Sequence, residues 1–211
     1  MARRAHSKVR YALCAGLLFW AAAASAQESE KISKKQVSAN GLYTVYLREN
    51  PDKSCLVVAL KDGAPFWQLQ QCVGSATDLY FISNDGQRFW VVRPLAKIQK
   101  AKKKNPWGDN LVLQLYNREG EVKSSHSAGA LVPRLAWGQV RELGGHVKWV
   151  EGVNGVAGKP PRVNDDNQLE VDPVGVTIGL ARTMKFSFSE GKSDEKAAAP
   201  DAGVAAPKET K

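Results

Sequence analysis

Short blocks of apolar residues, many alternating with polar ones, run along the middle of the chain and are separated by turn sequences. β-Branched and aromatic side chains favour strands, whereas Gly, Asn, Asp and Pro favour turns. The block at 42–47 follows the turn sequence at 38–41 and predicts a first strand. The blocks at 55–60 and 66–72 flank the turn at 62–65 and predict a β-hairpin.

The register of this hairpin follows from the position of its turn. If the turn is centred just after Gly63, Leu60 faces Trp67 and Cys55 faces Cys72. Opposed residues of antiparallel strands have Cα atoms about 4.5–5.5 Å apart, which suits a disulfide bond. The alternatives, a metal pair or a catalytic thiol, lack His or acidic residues at suitable spacing. The same register predicts a core face formed by Leu56, Val58, Leu60, Trp67 and Leu69.

A second hairpin is predicted by the apolar blocks at 79–82 and 88–92, which flank an Asn-Asp-Gly turn. Neither face of this hairpin is polar: Phe81 and Trp90 lie on one side, and Ile82 and Phe89 lie on the other. We expect both faces to be buried. The alternative is a surface that exposes aromatic side chains for binding.

The turn sequences Ser-Ala-Asn-Gly at 38–41 and Ser-Asn-Asp-Gly at 83–86 lie 45 residues apart, and an aromatic-containing strand follows each. In these turns the chain resembles the blade repeat of secreted TolB-like β-propellers, and the spacing suits a four-stranded blade. The resemblance covers less than half of the mature chain. It implies a blade-like meander of hairpins rather than a complete propeller, and it transfers no functional residue. In other respects the chain resembles uncharacterised exported bacterial proteins.

Further elements follow downstream. The pattern predicts one short helix at 136–143 and several strands, the last of them closing the domain: 111–116, 121–123, 131–133, 146–150, 168–171, 174–180 and 184–188. The predicted fold class is therefore all-β. It is an antiparallel β-sandwich or a partial propeller-like meander of hairpins, with one short helix at most.

Residues 1–26 have the parts of a secretory signal. A basic start with Arg3 and Arg4 precedes an apolar stretch, and small residues, Ala24 and Ala26, mark a cleavage site. The apolar stretch is shorter than the roughly 20 residues of a membrane span. We therefore predict cleavage after Ala26, a periplasmic or secreted product, and no transmembrane segment after cleavage.

The remaining chain divides by composition into three parts. Residues 27–37 are polar and predict a flexible leader, and residues 38–189 predict a single β-domain. Residues 190–211 are rich in Ala, Pro and Lys. Because this segment has too few apolar side chains to offset the entropy of ordering, it predicts a disordered tail.

The formal net charge of the chain is +9, and it falls to +5 when the signal leaves with its four basic residues and no acidic one. This modest charge and the predicted export disfavour nucleic acid as a partner. An anionic envelope polymer or an envelope protein fits better. The candidate binding residues are four lysines and two tryptophans that precede glycines: Lys100, Lys102, Lys103, Lys104, Trp107 and Trp137. The alternatives are a solvated loop for the lysines and core packing for the tryptophans.

The mature sequence predicts no catalytic residue, cofactor or metal site. Its two histidines, His126 and His146, lie apart in sequence without a metal-spaced partner, and no nucleophile or phosphate-binding motif is present. We expect an exported, non-enzymatic β-domain with a binding or structural role in the bacterial envelope. The alternatives are a hydrolase of envelope polymer, which needs a histidine beside a carboxylate, and a subunit of an envelope complex.

Overall fold

The structure is a computed structural model that describes residues 29–98, 106–152 and 159–189. It confirms the all-β prediction, because the strands of these ranges form four antiparallel sheets with two short helices between them. The strands up to the first gap are β1 (Lys31–Ile32), β2 (Gln36–Val37), β3 (Tyr43–Glu49), β4 (Cys55–Lys61), β5 (Ala64–Leu69), β6 (Leu79–Ile82), β7 (Arg88–Val92) and β8 (Leu95–Lys97). The later elements are β9 (Leu111–Asn117), β10 (Val122–Ser127), α1 (Ala128–Leu131), a 3₁₀ helix (Arg134–Gln139), β11 (Arg141–Leu143), β12 (His146–Lys148), β13 (Arg162–Val163), β14 (Gln168–Val171) and β15 (Met184–Ser187).

Two sheets dominate the fold. In the outer sheet, β3, β4 and β5 are consecutive neighbours, and both β1 and β2 pair with β3. The central sheet has the order β6, β7, β9, β10. Two three-stranded sheets follow, one in the order β11, β12, β8 and the other in the order β13, β14, β15.

The β6–β7 hairpin of the central sheet is buried on both faces, as predicted. Ile82 and Phe89 join one apolar cluster with the outer sheet. Phe81 and Trp90 join a second cluster with the smaller sheets and α1. All four side chains are at most 2% exposed. The chain is therefore layered, with the central sheet between two cores.

The predicted register of the first hairpin is wrong. Asp62 and Gly63 have φ values of 49° and 80°, and they form a two-residue turn in which Lys61 faces Ala64. Asp-Gly is a preferred pair for such a turn because both positions need positive φ. The turn is thus centred before Gly63 rather than after it.

A bulge shifts the hairpin again. Leu60 faces Pro65, whereas the preceding Ala59 faces Trp67, so Phe66 is an extra residue of β5. Because a shift of one residue exchanges the faces of a strand, only two of the five residues of the predicted core face lie on it. Trp67 and Leu69 do pack on the core between the sheets, but their partners from β4 are Cys55, Val57 and Ala59 instead of Leu56, Val58 and Leu60.

The predicted disulfide is confirmed despite this error. The sulfur atoms of Cys55 and Cys72 are 2.05 Å apart and their Cα atoms are 4.9 Å apart. Cys72 lies beyond the last residue of β5, Leu69. The segment after Leu69 therefore brings Cys72 to the start of β4 without the predicted ladder.

The two Ser-x-Asn/Asp-Gly turns have the same hydrogen bonds. Ser38 Oγ donates to Asn40 Oδ1 (2.7 Å) and accepts from the backbone N–H of Tyr43 (3.0 Å). The atoms 45 residues later form the same two bonds, at 2.5 and 3.1 Å. Gly41 and Gly86 have φ values of 76° and 70°, a region that favours glycine.

The strand registers repeat with the same offset. Gln36 of β2 faces Val45 of β3, and Phe81 of β6 faces Trp90 of β7. The outer strands β2 to β5 and the central strands β6, β7, β9 and β10 are thus two four-stranded meanders of one design. This arrangement agrees with a meander of hairpins, while the relationship to TolB-like propellers stays a prediction.

Turns of three layers meet in one row. Asn40 donates from its backbone N–H to Asn84 Oδ1 (2.9 Å) and from its side chain to Asn84 O (2.8 Å). The backbone N–H of Asn84 donates in turn to Asn167 Oδ1 (2.9 Å). Asn167 ends the turn between β13 and β14, so this row connects the outer sheet, the central sheet and the third layer.

The β-domain begins earlier than predicted. Strands β1 and β2 lie inside the stretch 27–37 that we expected to be a leader, and both pair with β3. Ser33 between them is 3% exposed, and its Oγ accepts the backbone N–H of Leu47 at 2.8 Å. A polar segment is recruited here because β3 needs partners along its outer edge.

Three downstream predictions also need correction. Residues 131–133 do not form an edge strand, because Leu131 ends α1 and Val132 and Pro133 connect it to the 3₁₀ helix. Residues 136–143 divide into the end of the 3₁₀ helix and β11. The alternating segment 174–180 forms successive turns, because the Glu151 carboxylate accepts the backbone N–H groups of Gly175 (2.7 Å) and Thr177 (2.9 Å). The predicted signal and tail lie outside the described residues.

Candidate functional site

A cleft of about 440 Å³ opens at the disulfide end of the outer sheet. The end of β3, the start of β4 and the segment after β5 form its walls. The lining consists of amide, hydroxyl and guanidinium groups around the disulfide, with one leucine: Arg48, Asn50, Ser54, Cys55, Leu56, Gln70, Gln71 and Cys72. We call this feature the disulfide cleft.

The turn between β3 and β4 fixes one wall of the disulfide cleft. Asn50 Nδ2 donates to Ser54 Oγ (2.9 Å), and Ser54 Oγ donates to Asp52 Oδ1 (2.6 Å). Hydrogen bonds from the Ser54 hydroxyl and backbone N–H lower the pKa of the exposed Asp52 carboxyl. Lys53 closes the turn with a φ of 65°. The amide of Asn50 is thus held in place at the cleft.

The opposite wall is held by the disulfide and by the loop that follows it. Cys55 is 9% exposed while Cys72 is exposed. After Cys72, Arg93 Nη2 donates to Val73 O (2.7 Å), and Asp78 Oδ2 accepts the backbone N–H of Ser75 (2.8 Å). Partial burial raises the pKa of Asp78. The loop is therefore held to Arg93, which directly follows β7, and is closed by its own Ser75–Asp78 hydrogen bond before β6 begins.

Arg48 supplies the cation of the disulfide cleft. Its Nε lies 3.3 Å from Glu30 Oε1, and both side chains are about two-fifths exposed. The Nε itself is buried and its contact with Glu30 does not satisfy hydrogen-bond geometry. The guanidinium can therefore exchange this exposed partner for a carboxylate or phosphate of a ligand at small cost.

A smaller cleft of about 180 Å³ adjoins the first, and Asn50 lines both. Lys31 and Lys53 contribute amines to it, and Glu49 contributes a carboxylate. Amide and hydroxyl groups both donate and accept hydrogen bonds, and these cations add charge-assisted donors. The residues that line the two clefts together supply hydrogen-bond donors and acceptors, three cationic side chains and one carboxylate.

The two candidate binding tryptophans lie next to each other, and neither lines the two clefts. The rings of Trp107 and Trp137 meet edge to face with centroids 6.0 Å apart. Trp107 is 7% exposed and belongs to the core, and the half-buried Trp137 donates from Nε1 to Val132 O (3.0 Å). Their contacts favour the packing alternative. The lysines predicted to bind polymer, Lys100, Lys102, Lys103 and Lys104, lie outside the described residues.

The histidines lie away from both clefts. The His126 ring lies between Trp90 and Phe186, at centroid distances of 6.0 and 5.0 Å, and its Nε2 is 3.2 Å from Ser124 Oγ. His146 Nδ1 is 3.3 Å from Gly144 O. Neither histidine is among the residues that line the two clefts. The hydrolase alternative stays a prediction. Within residues 29–98, 106–152 and 159–189, no group of three or more His, Cys, Asp or Glu is placed to hold a metal ion.

Sequence reasoning found the two cysteines but missed their neighbours. Arg48, Asn50 and Gln70 lie at strand ends and in a turn, where polar residues are the rule. The available signal was the pair of glutamines, Gln70 and Gln71, directly before Cys72. They line the cleft because β5 ends at Leu69, whereas the predicted strand continued to Cys72. That signal required knowledge of the turn and the bulge.

In the described part of the chain, no helix has the length and apolar character needed to span a membrane. Comparisons with protein-family models, curated proteins and solved structures found no match to this chain.

Proposed function

We propose that the protein is an exported β-domain that binds an anionic envelope polymer, with the disulfide cleft as the binding site. The observation that carries the proposal is the lining of that cleft. Arg48 lines the cleft together with the neutral polar side chains of Asn50, Ser54 and Gln70. Hydroxyl groups of a polysaccharide pair well with amides, and a carboxylate or phosphate pairs well with guanidinium.

The walls of the disulfide cleft are held in place before a ligand binds, which favours a preformed binding site. The disulfide joins the start of β4 to the segment that carries Gln70, and hydrogen bonds fix the Asn50 turn. A site whose donors are already positioned loses less conformational entropy when a ligand binds. The charge of the mature chain, +5, also favours an anionic partner.

Binding can be measured by titration calorimetry with soluble peptidoglycan fragments and with lipopolysaccharide at low salt. We expect Arg48→Ala to weaken binding about tenfold or more, because a charge-assisted hydrogen bond contributes about 1.5–3 kcal/mol. Gln70→Ala should weaken it less. Higher salt should weaken binding of the native protein.

Arg141→Ala is the matched control. Arg141 is also exposed, but it lies in β11, a strand of another sheet, and does not line the cleft. Its replacement should leave affinity unchanged. The proposal fails if neither polymer binds, or if Arg48→Ala and Arg141→Ala lower the affinity equally.

A further inference from the structure

Three apolar side chains protrude from adjoining turns on the opposite side of the layered core from the outer sheet. Leu135 is 80% exposed, Ile178 is 55% exposed and Leu180 is 37% exposed. Leu135 is the most exposed of the large apolar side chains in the described residues. We call these three residues the Leu135 patch.

The two turns are in contact. The Cβ atoms of Ala136 and Leu180 lie 2.7 and 3.3 Å from the position that a β-carbon would occupy at Gly175. Ala136 is fully buried, so it anchors the 3₁₀ helix while its neighbour Leu135 faces solvent. The segments that carry Leu135 and Leu180 therefore adjoin through Ala136 and Gly175.

The local structure holds the patch open. The 3₁₀ helix begins after Pro133, with the Ala136 N–H donating to Pro133 O (2.9 Å). The Glu151 carboxylate binds the backbone of the 174–179 turns, as described above. Because both segments are fixed by hydrogen bonds, Leu135 and Ile178 cannot reach the core without breaking them.

Two arginines flank the patch. Arg134 directly precedes Leu135, and Arg182 follows Leu180 by two residues. Both are exposed, and neither forms an ion pair or side-chain hydrogen bond within the described residues. A surface that combines protruding aliphatic side chains with unpaired cations matches the interface of an anionic bilayer, which offers an acyl boundary and negative headgroups.

We infer that the Leu135 patch docks the protein onto an anionic phospholipid surface. Charge favours this occupant over a second copy of the chain. A symmetric contact between two such patches would bring four arginines together, and like charges in a closing interface repel. Anionic headgroups neutralise the same arginines. This docking surface is separate from the disulfide cleft and does not depend on the polymer proposed to bind there.

The test is co-sedimentation with vesicles of phosphatidylglycerol or of phosphatidylcholine, using protein purified after export. We expect the native protein to bind phosphatidylglycerol at least about tenfold more strongly. Leu135→Asp should lower the vesicle partition coefficient about tenfold or more. Transfer of a leucine side chain from water into the acyl region raises that coefficient by about one to two factors of ten. Arg134→Gln with Arg182→Gln should remove most of the preference for the anionic lipid.

Leu42→Asp is the matched control, since Leu42 is 44% exposed in a turn of the outer sheet. The Leu42→Asp variant has the same N-terminal sequence as the other variants, and it should bind the vesicles as strongly as the native protein does. Circular dichroism would verify that all variants are folded. The inference is overturned if the native protein binds neither vesicle, or if both aspartate variants lose binding equally. A dimer in sedimentation velocity that Leu135→Asp dissociates would also overturn it, because the patch would then be a self-association surface.

Discussion

The outer and central sheets are both four-stranded meanders with the same turn hydrogen bonds, and their strand pairs correspond at a spacing of 45 residues. They differ in what covers them. Ile82 and Phe89 of the central sheet are fully buried, whereas Val37 and Thr44, their equivalents 45 residues earlier, are 52% exposed and half-buried. The hydrogen bonds of the turns are set by local sequence and are the same in both sheets. Among the described residues, the smaller sheets and α1 cover the second face of the central sheet, whereas none of the four sheets covers the equivalent face at Val37 and Thr44.

The largest effect should separate these equivalent positions. Phe89→Ala removes a ring that packs on Tyr116 and Trp67, with centroids 5.4 and 5.6 Å apart. We expect it to lower the free energy of unfolding by about 3–5 kcal/mol. Thr44→Ala should cost under about 1 kcal/mol, because its side chain faces away from the core between the sheets.

Urea denaturation followed by circular dichroism would measure both changes. Equal losses for Phe89→Ala and Thr44→Ala would contradict the contrast between the two sheets. A change in the denaturant slope would indicate that the substitution alters the unfolded state as well as the native contacts.

The disulfide lies at the outer sheet, whose second face is less buried at Val37 and Thr44 than the equivalent face of the central sheet. Replacing Cys55 and Cys72 by serine should lower the free energy of unfolding by about 3 kcal/mol, given a sequence separation of 17 residues. Reduction of the native protein by dithiothreitol should have a similar effect, and the reduced native protein should match the double variant in urea denaturation. If neither treatment shifts the midpoint, the covalent bond does not offset the smaller burial of the outer sheet.

The smallest effect tests the equality of the turns. Ser38→Ala and Ser83→Ala each leave a backbone N–H without its hydroxyl acceptor, at a cost of about 1 kcal/mol. The two losses should agree within a few tenths of a kcal/mol, since both serines are at most 5% exposed. Thermal unfolding of the two variants would show a difference if the shared hydrogen bonds have unequal weight.

The sequence predicted the central hairpin well and the outer hairpin poorly, although both have an Asp-Gly pair. In the central hairpin, a turn centred between Asp85 and Gly86 places Ile82 opposite Phe89, and no bulge interrupts the ladder. In the outer hairpin, Leu56, Val57, Val58 and Ala59 are all apolar, so neither face of β4 stands out. The extra residue Phe66 then changes the register within the ladder, and no local pattern announces a bulge.

The segment 174–180 shows a second limit. Its alternating Val174, Val176, Ile178 and Leu180 predict a strand, but Gly175 and Gly179 adopt positive φ, and Glu151 captures the intervening backbone. That carboxylate lies 24 residues earlier, so a local window contains no trace of it. The same distance problem hid the disulfide cleft, whose residues come from three separate chain segments.

The row formed by Asn40, Asn84 and Asn167 has a consequence for how the layers are aligned. Apolar side chains between two sheets resist separation, but they offer little resistance to sliding, because one methyl group contacts another nearly as well after a small shift. Directional amide hydrogen bonds have one favourable position. The asparagine row therefore acts as a lateral lock that sets which part of each sheet lies over the next.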